Sequence, residues 1–251
     1  MIQKGEISVL FGKKKEKGLA NPAKGVMVAL WNPAGSDPTL LLQRLLNLVN
    51  KQEETAVVVE LPCLGLPRVA YRLGISELKH GQTVDQLLID YDRGMLAGVH
   101  DYLQHFEGFD GLLIQPKSKV DSPTLIKLQQ NKTLSELPAY LKVHLSGYHY
   151  IFVVLQGQLI HPMSFFALRE ANHVVLNMNE PVELIRAYAA FKALRQDYAV
   201  QSIQMFSESK NSDFNEETIL HRPEQLLLAW READHGNRSN QSGRVRAVPT
   251  T

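Results

Sequence analysis

A single doubly wound α/β domain, with a mostly parallel sheet and helices on both faces, is the fold this sequence predicts. Three observations point to it. Short, almost wholly apolar runs recur along the chain between Gly, Asn-Pro or Pro punctuation, as in VMVALW at 26–31, AVVVE at 56–60 and YIFVVL at 150–155. Stretches with helical leucine spacing alternate with them. Hydrophobic residues make up 44% and charged residues 21%, which excludes a wholly disordered or fibrous chain.

The elements follow in order. Residues 1–25 form a leader with Lys13, Lys14, Lys15 and Lys17, expected to be solvated. The first strand is expected at 26–31, followed by the loop NPAGSDPT at 32–39, dense in Pro, Gly, Ser and Asp. Leu41, Leu42, Leu45, Leu46 and Val49 lie on one face of a helix. A second strand at 56–60 completes a strand–helix–strand unit, whose two strands are expected to be parallel neighbours. Residues 66–75 read as a short helix, and 83–106 as one or two helices broken at Gly94. Further strands are expected at 111–114, 150–155, 173–177 and 200–206, with helices over 122–145, 161–171 and 181–197. The domain then runs over 26–210, followed by a helical extension at 211–233 and a disordered, dispensable tail at 234–251.

Charge and cysteine content narrow the function. The formal net charge is +1, so no global field draws the chain to nucleic acid or lipid, and any such contact needs a local patch. The lone Cys63 cannot form an internal disulfide or a cysteine-rich metal site, and fits a reducing compartment. No run approaches the ~18 apolar residues of a membrane span. In the opening residues the lysines follow the short apolar run, the reverse of a secretory signal, so a cytoplasmic protein is expected.

In an open α/β sheet a site sits at the carboxyl ends of the strands. A phosphate loop there uses glycines to aim backbone N–H groups, a lysine on the terminal phosphates and a hydroxyl on magnesium. The loop Asn32, Pro33, Ala34, Gly35, Ser36, Asp37, Pro38, Thr39 offers one glycine and no lysine, and Asp37 carries the wrong sign of charge. Thr39 has a suitable hydroxyl, but its simpler role is a helix N-cap. Glu60 ends the second strand and reads as a solvent carboxylate or a helix-cap partner. His161 follows the 150–155 strand and reads as a loop residue. His144 and His149 have no metal-ligand companions, and neither Ser36 nor Ser164 lies in a G-x-S-x-G elbow.

The segments TAVVVELPCLGLPRVAYRLGI at 55–75, with Leu73-Gly74, and YHYIFVVLQGQLIHPMSFFALREANHVVLNMNEPVELIRAYAAFKAL at 148–194 carry a resemblance. Over roughly 25–206 the chain resembles the ParA/MinD family of deviant P-loop ATPases, and within it the CpaE/TadZ-like localisation proteins of pilus and secretion systems. The resemblance implies a P-loop NTPase-like fold and an ancestral ATP switch working through sandwiched dimers. It also marks departures. The 32–39 loop lacks both family lysines. Glu60 falls at the first acidic position after the second strand, whereas Pro62 falls at the second. Val154 stands where the family's magnesium-associated Asp belongs, and His149 replaces an earlier Asp.

Loss at separate motifs implies a pseudo-ATPase with no catalytic residues, no metal and no resident cofactor, weak ATP and magnesium binding being left open. Its expected partners are proteins of a larger assembly, with a homodimer across the former nucleotide face filled by side chains such as Pro33, Pro38 and Trp31, although Trp31 reads more simply as core packing at the end of its strand. Membrane contact would be weak, peripheral and at the inner face. The alternatives are a divergent ATPase using Arg44, Arg68 or Arg72 in place of lysine, and a DNA-partition-associated protein using the leader with Arg238, Arg244 and Arg246. Nucleic acid is the less expected partner.

Overall fold

A computed structural model of the chain describes residues 25–35, 37–61, 67–96, 98–115, 135–156, 162–178, 183–197, 200 and 203–207. The expectations for the leader, for Ser36, Pro62, Cys63 and His161, and for everything beyond 207 lie outside the described residues. The strands are β1 (Val26–Trp31), β2 (Ala56–Leu61), β3 (Gln104–Phe106), β4 (Phe109–Leu112), β5 (Tyr150–Leu155), β6 (His173–Met178) and β7 (Ile203–Ser207). The helices are α1 (Thr39–Lys51), α2 (Arg68–Arg72), α3 (Val84–Asp92), α4 (Leu137–His144), α5 (Pro162–Glu170) and α6 (Glu183–Gln196), with a 3-10 turn at Val99–Tyr102.

The seven strands form one sheet in the order β3-β4-β2-β5-β1-β6-β7. All pairs are parallel except the β3–β4 hairpin at one edge. The expected α/β class with a mostly parallel sheet is therefore observed. The expected adjacency of the first two strands is not. β1 and β2 run parallel, but β5 lies between them, pairing Leu30 with Val154 on one side and Glu60 with Val154 on the other. The physical reason is burial. Five of the six β5 residues are buried, so this strand is stable only with a partner on each edge and a layer on each face.

Strand side chains alternate between two cores. Met27, Ala29, Val57, Val59, Ile151 and Val153 face one cluster, which is closed by α3, α4, α5 and α6. Leu30, Ala56, Val58, Phe152 and Val154 face the other, closed by α1 and α2. Leu41, Leu42, Leu46 and Val49 of α1 are buried there, each worth about 1.5–3 kcal/mol of transfer free energy. By this alternation Glu60 belongs to the α1/α2 face, one residue beyond the apolar end of that row.

Several boundaries differ from those expected. The 83–106 segment holds α3, the short 3-10 turn at Val99–Tyr102 and then a strand in place of further α-helix. Thr83 caps α3 by accepting the Gln86 N–H at 3.2 Å, and Gly94, at φ +65°, ends it as the sequence suggested. Gln104–Phe106 turns over through Gly108 to pair with β4, a hairpin that the helical pattern concealed. The strand expected at 111–114 is Phe109–Leu112, because that hairpin recruits Phe109 and Asp110 and the chain leaves the sheet after Leu112. The 122–145 helix is described only as Leu137–His144, the 66–75 helix shortens to Arg68–Arg72, and the final strand is Ile203–Ser207. No helix among the described residues is long and apolar enough to cross a membrane.

Candidate functional site

The carboxyl ends of β1, β2, β4 and β5 meet above α1 and α2. The chain leaves β1 in a tight turn. Asn32 is buried, its Oδ1 accepts the Ala34 N–H at 2.7 Å, and its Nδ2 donates to Glu183 Oε2 at 3.0 Å. Gly35 closes the turn by donating its N–H to the Asn32 carbonyl at 3.0 Å. It sits at φ +93°, a conformation that favours glycine.

Asp37 then takes the place at the start of α1 where an anion would be held. One oxygen, Oδ1, accepts both the Thr39 N–H, at 3.0 Å, and the Thr39 hydroxyl. The other, Oδ2, accepts from Arg72 Nε at 2.9 Å. Thr39 is not the N-cap expected from the sequence. That place falls to Pro38, which has no side-chain cap to give, and Asp37 supplies the missing acceptor from one residue further out. Negative charge at a helix N-terminus is favourable, so the arrangement satisfies the helix from within the chain. Arg68 completes the enclosure by donating from one guanidinium nitrogen to the Gly35 carbonyl at 2.8 Å.

Glu60 is the second organising residue. It is fully buried, which corrects the solvent-facing reading and keeps the helix-cap one. Its Oε1 accepts the Val69 N–H, in the first turn of α2, at 3.1 Å and Gln156 Nε2 at 2.8 Å. Its Oε2 accepts the Ile114 N–H at 3.2 Å. One carboxyl thus ties β2 to α2, to the exit of β4 and to the exit of β5. Burial pushes it from 4.5 up to about 7, against the pull of the Val69, Ile114 and Arg68 backbone N–H groups and with help from the charge of Asp37.

The remaining sequence candidates fall apart in space. Val154 is wholly buried in the apolar cluster with Leu30 and Val58, so the position where the resemblance expects a metal-associated acid is part of the core. Trp31 is likewise core, in keeping with its simpler reading, and the hydrogen bonds at the loop are made by Asp37, Thr39 and Arg72. Of the three arginines weighed as substitutes for lysine, Arg68 and Arg72 both bind the loop, whereas Arg44 is exposed on α1. His149 lies at the opposite edge, where its Nδ1 accepts the Thr55 N–H at 3.0 Å. His144 packs against Tyr140. Among the described residues no group of three His, Cys, Asp or Glu could hold a metal ion. Sequence reasoning missed Gln156 and Glu183. Gln156 directly follows a strand and was findable by position, while Glu183 is 151 residues from its partner Asn32 and carried no local signal.

Among the described residues, this edge is organised from within the chain. The head of α1 is held by the Asp37 carboxylate, the Glu60 carboxyl lies behind it, and Arg68 and Arg72 are bound to the loop itself.

The sequence matches no protein-family model and no curated protein. The fold does have relatives. The chain is similar to the cell division ATPase MinD of Pyrococcus furiosus, at 16% identity and a TM-score of 0.57, over 82% of this chain and 80% of that one. It is similar to a ParA family ATPase of Chlorobium tepidum, at 15% identity and 0.55, over 79% of each. A plasmid partition protein of Borrelia burgdorferi matches at 13% and 0.54, over 76% of this chain and 83% of that one. The chain therefore has the ParA/MinD-like P-loop NTPase fold.

Proposed function

We propose that this chain is a pseudo-ATPase of the ParA/MinD-like fold, a localisation or assembly factor that acts by binding other proteins. The observation that carries the reading is the Asp37 carboxylate seated on the Thr39 N–H and hydroxyl and paired with Arg72. An incoming phosphate would have to displace this internal anion and would then face Glu60 and Asp37 together. Phosphoryl transfer depends on fixed positive charge around the transferred group, and each ~1.4 kcal/mol of lost stabilisation slows it tenfold. The Val154 core position adds no metal-holding acid. A folded edge without that chemistry retains value as a constitutive surface, in a pilus or secretion assembly by the CpaE/TadZ resemblance, and a homodimer across the same edge is one form it can take. Function does not follow from fold alone, so the test is direct. Equilibrium binding of ATP and ADP with magnesium, followed by turnover, should give no magnesium-dependent hydrolysis. Turnover abolished by changing Thr39 or Glu60 would overturn the reading. Partners captured from the native host should be retained after ATP depletion.

A further inference from the structure

The outer surface of the carboxyl edge presents two large apolar side chains to solvent. Leu40, in the first turn of α1, is 46% exposed, and Tyr71, on α2, is 80% exposed. The charge around them is of one sign. α1 and α2 contain Arg44, Lys51, Arg68 and Arg72 and no Asp or Glu. Arg44 and Arg72 are exposed. Asp37 offsets only one of the three arginines, and Glu60 is buried, so the face stays positive. Tyrosine and arginine are frequent anchors of protein contacts, and such a face fits an acidic segment that carries an apolar side chain.

The chain itself continues into a segment of that kind. β7 ends at Ser207. Through Leu176, Met205 stands level with Trp31, so β7 and β1 finish at the same edge, two strand spacings or about 10 Å apart. Residues 208–220, ESKNSDFNEETIL, follow directly. They carry Glu208, Asp213, Glu216 and Glu217 against Lys210, with Phe214, Ile219 and Leu220 among them. Fully extended, the segment spans up to about 40 Å, ample for crossing β6 and β1 to reach α1 and α2. Joined to β7, it meets that edge at an effective concentration on the order of a millimolar, so modest side-chain contacts suffice to hold it.

α6 offers a second basic face, with Arg186, Lys192 and Arg195 exposed. It is the poorer fit. Its exposed aromatic, Tyr188, shows 43% of its surface, and the Arg195 guanidinium already lies over the Phe191 ring.

We propose that residues 208–220 fold back over the α1–α2 edge as an intramolecular cover, with Phe214 against Tyr71 and Leu40 and the acidic side chains toward Arg44, Arg68 and Arg72. A protein partner of this edge then competes with the segment for the same side chains. The contact is internal to the chain, so it stands or falls apart from the pseudo-ATPase reading.

The test compares backbone NMR spectra of the full native chain and of a full chain carrying Phe214→Ser, Glu216→Lys and Glu217→Lys, three changes beyond the last strand. Shift differences are expected at 39–44 and 68–72. A peptide of residues 208–220 added to the variant chain should restore the native shifts there on saturation. Tyr71→Ser, at an exposed position, should weaken that peptide binding about tenfold, and in the otherwise native chain it should shift the resonances of 208–220. Differences confined to 203–207, differences on α6 instead, or peptide binding indifferent to Tyr71→Ser would overturn the proposal. Native shifts that move toward those of the variant on dilution would assign the contact to a second copy of the chain and overturn it as well.

Discussion

Arg72 reaches back from α2 to set its Nε 2.9 Å from Asp37 Oδ2, so the second helix is pinned to the loop that opens the first. The arginine side chain remains 61% exposed and the aspartate 20%, so the ion pair itself is worth little, of order 0–1 kcal/mol. Its effect is one of position: it holds the carboxylate over the start of α1.

Asp37→Ala should therefore cost more than Arg72→Ala. The first removes the acceptor for the Thr39 N–H and hydroxyl, a loss of about 1–2 kcal/mol by the scale of helix caps. The second should cost under ~1 kcal/mol. Urea unfolding of both single variants and the double variant measures this. Equal losses would mean that the ion pair, and not the cap, supplies the stability.

Glu60 gives a pH signature whose sign is fixed by its environment. Its carboxyl rises from 4.5 to about 7 on folding, so the folded chain keeps a proton that the unfolded chain gives up. Its contribution is fully present below about pH 4.5 and is lost as pH rises to about 7, a change of about 3 kcal/mol in all. Unfolding at about pH 5 and about pH 8 should show that loss in the native chain and a flatter profile in Glu60→Gln. Glu60→Ala should be the worst variant at either pH, by about 3 kcal/mol or more, because it strands the Val69 and Ile114 N–H groups and Gln156 together.

Placing an acid at Val154 should unfold the protein. Val154 is fully buried, with Leu30 and Glu60 as its register partners. Val154→Asp would place a carboxyl in apolar surroundings beside another one, at a cost above about 4 kcal/mol. Circular dichroism and thermal melting should show loss of cooperative folding; a stable, folded variant would show that this edge is wetter than its burial implies.

Gly108→Ala should destabilise by about 1–2 kcal/mol for two separable reasons. Its φ of +85° disfavours a Cβ, and that Cβ would meet Asn50. Asn50→Ala should relieve the collision alone, so the double variant should recover part of the loss. Full recovery would assign the whole effect to the collision.

The sheet was legible because its strands are short, doubly buried and apolar: β1, β2, β5 and β6 fall within a residue of their expected limits. The β3–β4 hairpin was not legible, because HDYLQHF carries mixed polarity and its pairing is decided by Gly108 packing on a distant helix end. Nor was the strand order, since the insertion of β5 between β1 and β2 is a long-range preference that no local period records. At the candidate site, the absence of lysine could be read from the loop. The charge of Asp37 could be read too, but not its engagement, because Asp37 finds Arg72 only once α2 folds back over it.

The insertion of β5 also sets a timetable for synthesis. Thr55 and His149, which meet where β2 and β5 begin to pair, are 94 residues apart in the chain. At about 5–20 residues per second, a ribosome needs roughly 5–20 s to travel between them. Through that interval β1 and β2 are complete but lack the strand that joins them, and they expose apolar faces meant for the interior. The nascent chain is then a natural client for holding chaperones. That dependence should end once β5 has left the ribosome.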